Sequence, residues 1–166
     1  MIILGVDPGT QRTGYGIIHI PPSRSLRLDH IGHGCITTDN TQSRGNRLVS
    51  LEKQLIEILK KHRPDFMAVE TLFFFKNLKT VMPVSEARGV ILLTGSREKV
   101  PLYEFSPLQI KMAVAGYGRA EKKQVQRMVQ QLLELPEIPK PDDAADGLAI
   151  AIACAFALKN KIAPAS

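Results

Sequence analysis

IILGVDPGTQRTGYGIIHI, residues 2–20, consists of two apolar runs on either side of a short polar turn. The first run, Ile2–Asp7, ends in an acid and is followed by the turn pair Pro8-Gly9, which predicts a strand that stops there. The second strand is predicted at Gly14–Ile20, so the two should pair as an antiparallel hairpin. A third strand, predicted at Leu26–Thr38, would extend the hairpin to a three-stranded meander.

Beyond Thr38 the sequence alternates between helical and strand patterns. Leucines on one face predict a helix over residues 44–62, with Ser43 as its N-cap and Pro64 after its end. Because helices separate the later strands, those strands should lie parallel to the first. The remaining strands are predicted at Phe66–Glu70 and Leu102–Phe105, and the remaining helices over residues 80–98, 107–116, 121–135 and from 142 onward. We therefore expect an α/β fold with a five-stranded mixed sheet flanked by helices.

The composition limits the class of protein. At 166 residues the chain has the length of one domain, so we expect a single domain over residues 1–166. Hydrophobic residues make up 44% and charged residues 23%, which excludes a disordered, collagenous or coiled-coil protein. Lysine and arginine number 22 against 16 acids, and the net charge of +6 suits a polyanionic partner such as nucleic acid.

The cysteines and the absence of targeting signals indicate a cellular location. Cys35 and Cys154 form no CxxC pair, as expected of free thiols in a reducing compartment. The N-terminus has no basic leader, and the most apolar stretch, Ala144–Leu158, is too short to span a bilayer. We therefore expect a cytoplasmic protein with no membrane partner.

Four acids occupy positions that usually hold apolar residues. Asp7 and Glu70 end strands that should be parallel neighbours, and Asp143 and Asp146 share a face at the start of an apolar helix. Carboxylates gathered in one place repel one another unless a cation intervenes, and hard oxygen ligands suit Mg²⁺ or Mn²⁺. Two such ions about 3.5–4 Å apart can align water and leaving group for phosphodiester hydrolysis.

These acids also have simpler interpretations. Asp7 could do no more than form the turn before Pro8-Gly9, and Glu70 could be a surface charge at a strand end. Asp142 lies four residues before Asp146 and also suits a helix N-cap, so spacing alone does not choose between Asp142 and Asp143. The pattern of four acids is therefore more informative than any one of them.

A basic segment precedes the last helix. It has a local net charge of +4, with Glu121 as its one acid and with five cations, Lys111, Arg119, Lys122, Lys123 and Arg127. The segment is either an ordinary solvated helix face or a phosphate-binding surface. In the second case, the residues that contact DNA would be Lys111, Arg119, Lys122 and Lys123. The second interpretation predicts steep salt dependence of binding.

Three further features concern side chains outside the main core. At least one of Phe73, Phe74 and Phe75 should be exposed, because three consecutive residues cannot all face one core, and an exposed aromatic can stack on an unpaired base. The helix over residues 80–98 has apolar residues on two faces, which suits packing on the sheet and on a second protomer. His30 and His33, three apart on a strand, should point to opposite faces and form no metal site.

Four groups of motifs follow one another along nearly the whole chain. They are Asp7-Pro8-Gly9-Thr10 with Thr13-Gly14-Tyr15-Gly16; Ala68-Val69-Glu70 with Phe73, Lys76-Asn77 and Glu86-Ala87-Arg88-Gly89; Ser106-Pro107 through Lys111, Gly116, Gly118, Lys122 and Gln124-Val125-Gln126; and Asp143-Ala144-Ala145-Asp146-Gly147-Leu148-Ala149-Ile150-Ala151. In this order and spacing, the motifs resemble those of the RuvC family of bacterial Holliday-junction resolvases.

The resemblance implies a ribonuclease-H-like fold and a homodimer that nicks two strands of a four-way DNA junction symmetrically during recombination and repair. It implies an endonuclease that uses two Mg²⁺ ions per active site, or Mn²⁺, and leaves 5′-phosphate and 3′-hydroxyl ends. It also implies a branch-migration complex of the RuvA and RuvB type as a partner.

The resemblance also implies roles for individual residues. It assigns catalysis and metal binding to Asp7, Glu70, Asp143 and Asp146, and its acid-Ala-Ala-Asp motif favours Asp143 over Asp142. It assigns DNA stacking to Phe73 and phosphate contact to Lys111 and Lys122, with Lys123 as a stand-in for Lys122.

Three other functions compete with this one. The segment Asp7-Pro8-Gly9-Thr10 also resembles the phosphate loop of sugar kinases and actin-like ATPases, but those proteins need two such halves and a longer chain. A non-catalytic junction-binding module would bind without forming a metal-dependent product. An RNA-processing nuclease of the same fold would cut substrates that contain RNA.

Overall fold

A five-stranded sheet organises the part of the chain that the computed structural model describes, residues 1–22, 27–71 and 78–162. Its strands are β1 Ile2–Asp7, β2 Arg12–His19, β3 Asp29–Thr37, β4 Phe66–Glu70 and β5 Leu102–Phe105. The helices in these residues are α1 Arg44–His62, α2 Leu78–Arg97, α3 Pro107–Ala115, α4 Lys122–Leu132 and α5 Asp142–Ile162.

The strand order is β3-β2-β1-β4-β5, with an antiparallel meander on one side and parallel strands on the other. β1 pairs antiparallel with β2 and parallel with β4, and β4 pairs parallel with β5. The predicted mixed sheet is therefore confirmed. Since β1 and β4 run in the same direction, their carboxyl ends, Asp7 and Glu70, open at the same edge.

Local sequence signals account for the ends of two helices. At the start of α1, the Ser43 hydroxyl accepts a hydrogen bond of 3.3 Å from the Asn46 N–H. α3 begins with a capping box, in which Ser106 and Gln109 each accept from the other's backbone N–H, and it ends at Gly116 with φ of 70°. The sequence therefore fixes these boundaries locally.

Each face of the sheet has its own hydrophobic core. α1 and α2 cover one face, where Leu55 and Ile91 pack on Leu4 and Met67. α3, α4 and α5 cover the other face, where the buried stretch Leu148–Ala155 of α5 packs on the sheet. Because α5 is apolar on every side from Leu148 to Leu158, this part of it behaves as a core element rather than as a surface helix.

Glycines allow α5 to lie directly against the β1–β2 hairpin. A Cβ atom at Gly5 would lie 2.2 Å from the backbone oxygen of Gly147, and one at Gly16 would lie 2.4 Å from the backbone nitrogen of Leu148. A Cβ at Gly14 would lie 1.8 Å from the backbone oxygen of Asp143. The contact is thus backbone against backbone, and it fixes how far the start of α5 lies from the end of β1.

The prediction that His30 and His33 point to opposite faces is wrong. The ladder between β2 and β3 shifts register, so that Ile17 pairs with Gly32 and Ile18 pairs with His30. This β-bulge inserts one extra residue and returns His30 to the face of His33, where their ring nitrogens Nε2 and Nδ1 lie 2.8 Å apart. The simple alternation of side chains along a regular strand does not hold across this bulge.

No helix among the described residues combines the length and the apolar character that crossing a bilayer requires.

Candidate active site

The four predicted carboxylates belong to three elements that meet at one edge of the sheet. Asp7 ends β1, Glu70 ends β4, and Asp143 and Asp146 lie in the first two turns of α5. Side chains alternate along a strand, and Gly5 faces α5, so Asp7 also faces α5. The fold therefore brings together residues that are separated by up to 139 positions in the sequence.

Three of the carboxylates form a compact cluster. Asp7, Asp143 and Asp146 each offer a carboxylate oxygen, and these oxygens all lie within 4.8 Å of one another. Glu70 adjoins the cluster, because its charge raises the pKa of the neighbouring Asp7 carboxyl group. The side chains are half-buried, so the cluster is sheltered but open to a ligand.

Burial and mutual repulsion raise the proton affinity of the cluster. Burial raises the pKa of Asp7 well above its ordinary value, and the nearby charges of Glu70, Asp146 and Asp143 raise it further. Burial also raises the pKa of Glu70 and of Asp146, although neighbouring lysines oppose the increase. The protein therefore cannot easily hold all of these negative charges by itself.

The structure separates Asp142 from Asp143. Asp143 joins the cluster with Asp7 and Asp146. The side chain of Asp142 is 68% exposed, and its carboxylate lies 3.6 Å from the Lys122 Nζ. Asp142 is the first residue of α5, where a negative charge interacts favourably with the helix dipole. Asp142 is therefore placed to stabilise the helix start, and Asp143 is placed to bind a ligand.

Two of the predicted basic residues lie beside the carboxylates. Lys122, the first residue of α4, donates a 2.9 Å hydrogen bond from Nζ to Asp146. Partial burial acts to lower the pKa of Lys122, but its hydrogen bond to Asp146 and the surrounding aspartates raise it. Lys111 on α3 lowers the pKa of Glu70 through its charge. With Glu70 and Asp146, the two lysines line a cleft of about 270 Å³.

The other predicted DNA contacts are placed less directly. Arg119 and Lys123 are exposed and do not line the cleft. They lie on the same α3–α4 segment as Lys122, so they extend the basic surface away from the carboxylates. Phe73, together with Phe74 and Phe75, lies outside the described residues.

Sequence reasoning missed two features of this site. Cys35 lies close to Asp143, and burial followed by the Asp143 charge raises the pKa of its thiol. The pairing of Cys35 with Gly14 across the β2–β3 ladder places it there, a register that could not be read from residue types alone. The second missed feature is the contact of Gly5, Gly14 and Gly16 with α5, for which the alternating glycines of β2 were an available signal.

The donor set suits a divalent cation. The cluster offers carboxylate oxygens alone, and these hard donors match Mg²⁺ or Mn²⁺ rather than a thiophilic metal. Burial raises the pKa of Asp7, Glu70 and Asp146 even with Lys111 and Lys122 nearby, so additional positive charge at the cluster would favour their ionised forms. A divalent cation would supply that charge, so the residues fit the metal that the resemblance implies.

Comparison with known proteins identifies relatives over nearly the whole chain. The family model described as "Crossover junction endodeoxyribonuclease RuvC" matches residues 3–154. The crossover junction endodeoxyribonuclease RuvC of Desulforamulus reducens is 51% identical over 152 residues, which are 92% of this chain and 91% of the relative. The protein of the same name from Thermosipho melanesiensis is 50% identical over 151 residues, 91% of this chain and 94% of the relative.

A solved structure has a similar fold. The RuvC protein of T. thermophilus in complex with a Holliday-junction substrate superposes with a TM-score of 0.90 at 32% sequence identity. The superposition covers 97% of this chain and 96% of that one. The similarity therefore includes both faces of the sheet and all the elements that carry the carboxylate cluster.

Proposed function

The chain belongs to the RuvC family of crossover junction endodeoxyribonucleases, and from this premise we propose that it resolves Holliday junctions at the cluster of Asp7, Glu70, Asp143 and Asp146. It is a hydrolase with a ribonuclease-H-like α/β fold, and it cuts within DNA strands. One observation carries the assignment of the site: three carboxylates from β1 and α5 offer oxygens within 4.8 Å of one another.

The role of the cluster is to hold divalent cations at the scissile phosphate. Asp7, Glu70, Asp143 and Asp146 would be the ligands of two Mg²⁺ ions, with Mn²⁺ as an alternative. When bound, these ions would neutralise developing charge on the phosphate and lower the pKa of the attacking water. The products would be 5′-phosphate and 3′-hydroxyl ends.

The lysines at the cleft orient the DNA strand. Lys122 lies against Asp146 at the rim, and Lys111 lies near Glu70, so both can contact a phosphate that approaches the carboxylates. Arg119 and Lys123 would bind neighbouring phosphates on the exposed surface, and the family motif supports stacking by Phe73. Binding through these cations should weaken steeply with salt.

Symmetric cutting requires two active sites, and α2 has a surface suited to a second copy of the chain. Met82 and Leu93 are 65% and 49% exposed, and a Cβ at Gly89 between them would meet open space. These residues recur at helical spacing on the outward face of α2, while Ala87 and Ile91 pack into the core. This surface supports a homodimer formed through α2.

Family membership supports the remaining features of the proposal. We expect residues 1–166 to act as one nuclease domain, located in the cytoplasm with the DNA that it repairs. A branch-migration complex of the RuvA and RuvB type would deliver the junction. No membrane partner is expected.

The test is cleavage of a mobile synthetic four-way junction, with a linear duplex and an RNA-containing junction alongside, in Mg²⁺, Mn²⁺ and EDTA. The chain should make metal-dependent paired nicks in the DNA junction alone. Asp7→Asn and Asp143→Asn should each reduce the cleavage rate by at least about 100-fold while junction binding persists, because each removes a ligand oxygen at the reacting phosphate.

Asp142→Asn is the matched control, since it neutralises the adjacent acid on the same helix. Its exposed side chain lies outside the cluster, so the cleavage rate should stay within about threefold of that of the unmodified chain. An equal loss of cleavage rate in Asp142→Asn and Asp143→Asn would refute the assignment of the metal ligands. Binding of the junction without any metal-dependent product would refute the nuclease function.

A further inference from the structure

We propose that Arg47 is a positioning residue, whose guanidinium clamps the turn that follows Asp7 and thereby holds the Asp7 carboxylate toward α5. The inference rests on the proposed function, since metal binding is what requires the carboxylate to be held. Arg47 belongs to α1, on the face of the sheet opposite to the carboxylate cluster. It therefore acts through the turn rather than by contact with the phosphate.

The turn between β1 and β2 has no regular structure of its own. A Cβ at Gly9 would lie 1.8 Å from the backbone oxygen of Arg12, so the chain folds back on itself tightly. The turn begins immediately after Asp7 and ends at the start of β2. Its backbone carbonyls need partners from other elements, because a tight turn cannot satisfy them all internally.

Contacts from three elements satisfy these carbonyls. The Thr13 hydroxyl of β2 donates to the backbone oxygen of Gly9 at 3.4 Å. After the end of β3, the Thr38 N–H donates to the backbone oxygen of Gln11 at 3.1 Å. From α1, the Arg47 Nη2 donates to the backbone oxygen of Thr10. Arg47 thus holds the centre of the turn, and the two threonines hold its flanks.

Arg47 also ties the two anchoring segments together. Its Nε donates to the Thr38 hydroxyl at 3.2 Å, so one guanidinium bridges the turn and the end of β3. Thr38 is 9% exposed, so the threonine side of this contact is buried. A planar guanidinium with several donors can make both contacts at once, whereas an ammonium group cannot reproduce that fixed geometry.

The surroundings of Arg47 argue against an ordinary ion pair or a ligand site. Among the described residues no carboxylate forms a salt bridge with Arg47, whereas Arg44, one turn earlier, pairs with Glu86. The cavity beside these residues measures about 30 Å³, room for a water molecule or two but not for a substrate group. The hydrogen bonds of Arg47 are therefore directed to the turn and to Thr38, while its charge also lowers the pKa of the exposed Asp39.

The test compares Arg47→Met with Arg44→Met. Both variants lose one positive charge and keep an apolar stem on the same helix, but Arg47→Met alone loses the bonds to Thr10 and Thr38. Mn²⁺ affinity is measured by electron paramagnetic resonance without DNA, and exchange of the amide hydrogens of residues 9–12 is measured on metal-free protein.

Arg47→Met should bind Mn²⁺ about 10- to 100-fold more weakly, since loss of a residue that supports a ligand typically has an effect of that size. The amides of the turn should exchange faster, and Arg47→Lys should recover part of the Mn²⁺ affinity. Arg44→Met should match the unmodified chain in both measurements, and junction binding without metal should change equally in the two charge-loss variants.

Two results would overturn the inference. One is a folded Arg47→Met variant with unchanged Mn²⁺ affinity and unchanged exchange, and the other is an Arg47→Met variant that does not fold, which would give Arg47 a general structural role. Either result leaves cutting by the unmodified chain intact. Failure of the proposed function would appear differently, as an unmodified chain that makes no metal-dependent cut.

Discussion

At the scale of single residues, the buried carboxyl group of Asp7 is held in an environment that favours its protonated form. Burial raises the pKa of Asp7, and the charges of Glu70, Asp146 and Asp143 act in the same direction. A carboxyl group whose folded pKa exceeds its unfolded pKa stabilises the fold at low pH, and that stabilisation is lost as the pH rises through the folded pKa. The carboxylate cluster thus reduces the stability of the metal-free fold at neutral pH.

Asp7→Asn should therefore raise the melting temperature of the metal-free protein at pH 7. The amide carries no charge to bury, and each kcal/mol gained corresponds to about 2–4 °C for a chain of this size. The difference in melting temperature between variant and unmodified chain should shrink as the pH falls from the raised folded pKa of Asp7 toward the ordinary value of 3.8, below which Asp7 is protonated in both states. Thermal melts of both proteins between pH 4 and pH 8 in EDTA measure this difference in melting temperature.

Asp142→Asn provides the comparison for this prediction. It removes the same charge from an exposed position at the start of α5, where the charge is favourable, so its melting temperature at pH 7 should fall or stay the same. A lower melting temperature for Asp7→Asn at pH 7 would contradict the raised pKa of Asp7.

At the scale of secondary structure elements, the close contact of α5 with the β1–β2 hairpin determines where Asp143 and Asp146 lie. The nearest neighbours of a Cβ at Gly16 would include backbone atoms of Leu148, which cannot turn aside as a flexible side chain could. Any added atom must push the helix and the hairpin apart. The separation of Asp7 from the α5 carboxylates would then increase with it.

Gly16→Ala should consequently destabilise the protein by about 1–3 kcal/mol, the usual cost of overpacking a core. Gly45→Ala is the matched control, because a Cβ at Gly45 in α1 would meet open space and should stabilise the helix by about 0.5–1 kcal/mol. Urea denaturation measures both values. Equal stability of the two variants would show that the hairpin and α5 can separate without cost.

Some features of the secondary structure elements follow from the sequence, and others do not. The start of α1 at Ser43 and the capping box at Ser106 were predictable because neighbouring residues determine them. The placement of Asp7 and Glu70 at one edge was predictable from strand direction. The shared face of His30 and His33 was not, because the β-bulge lies in the pairing of two strands, which the residue pattern of β3 by itself does not reveal.

The candidate active site also has parts that the sequence predicts and parts that it does not. The family motif favoured Asp143 over Asp142, whereas spacing alone left both open, and the cluster with Asp7 agrees with the motif. Arg47 was missed altogether, since a single arginine near the start of a helix gives no indication of which distant carbonyl it contacts. Contacts between side chains and a remote turn depend on the tertiary fold.

At the scale of the whole molecule, the proposed function would depend on a second copy of the chain as well as on charge. A net charge of +6 attracts DNA from a distance, yet one carboxylate cluster can cut only one strand at a time. Two equivalent strands of a junction require two clusters related by symmetry. The exposed face of α2, with Met82 and Leu93, is where the proposed dimer would form.

Met82→Lys should shift the protein toward monomers, because it places a charge in an apolar interface. Val49→Lys is the control, since Val49 is 64% exposed on α1 and receives the same charge outside the proposed surface. Sedimentation velocity measures the oligomeric state, and a junction labelled on two strands reports whether the cuts are paired. An unchanged dimer in Met82→Lys would exclude α2 as the interface.

The glycine contact between α5 and the hairpin also bears on how such an enzyme can vary through evolution. Since backbone atoms make most of this contact and set the spacing between α5 and the hairpin, substitutions elsewhere in the cores can accumulate without changing that spacing. Selection for cleavage would then act strongly on Gly5, Gly14, Gly16 and Gly147, four residues that contribute no chemistry. Within a population of variants, lineages in which a larger residue replaces any of these glycines would lose the cleavage activity before they lost the fold.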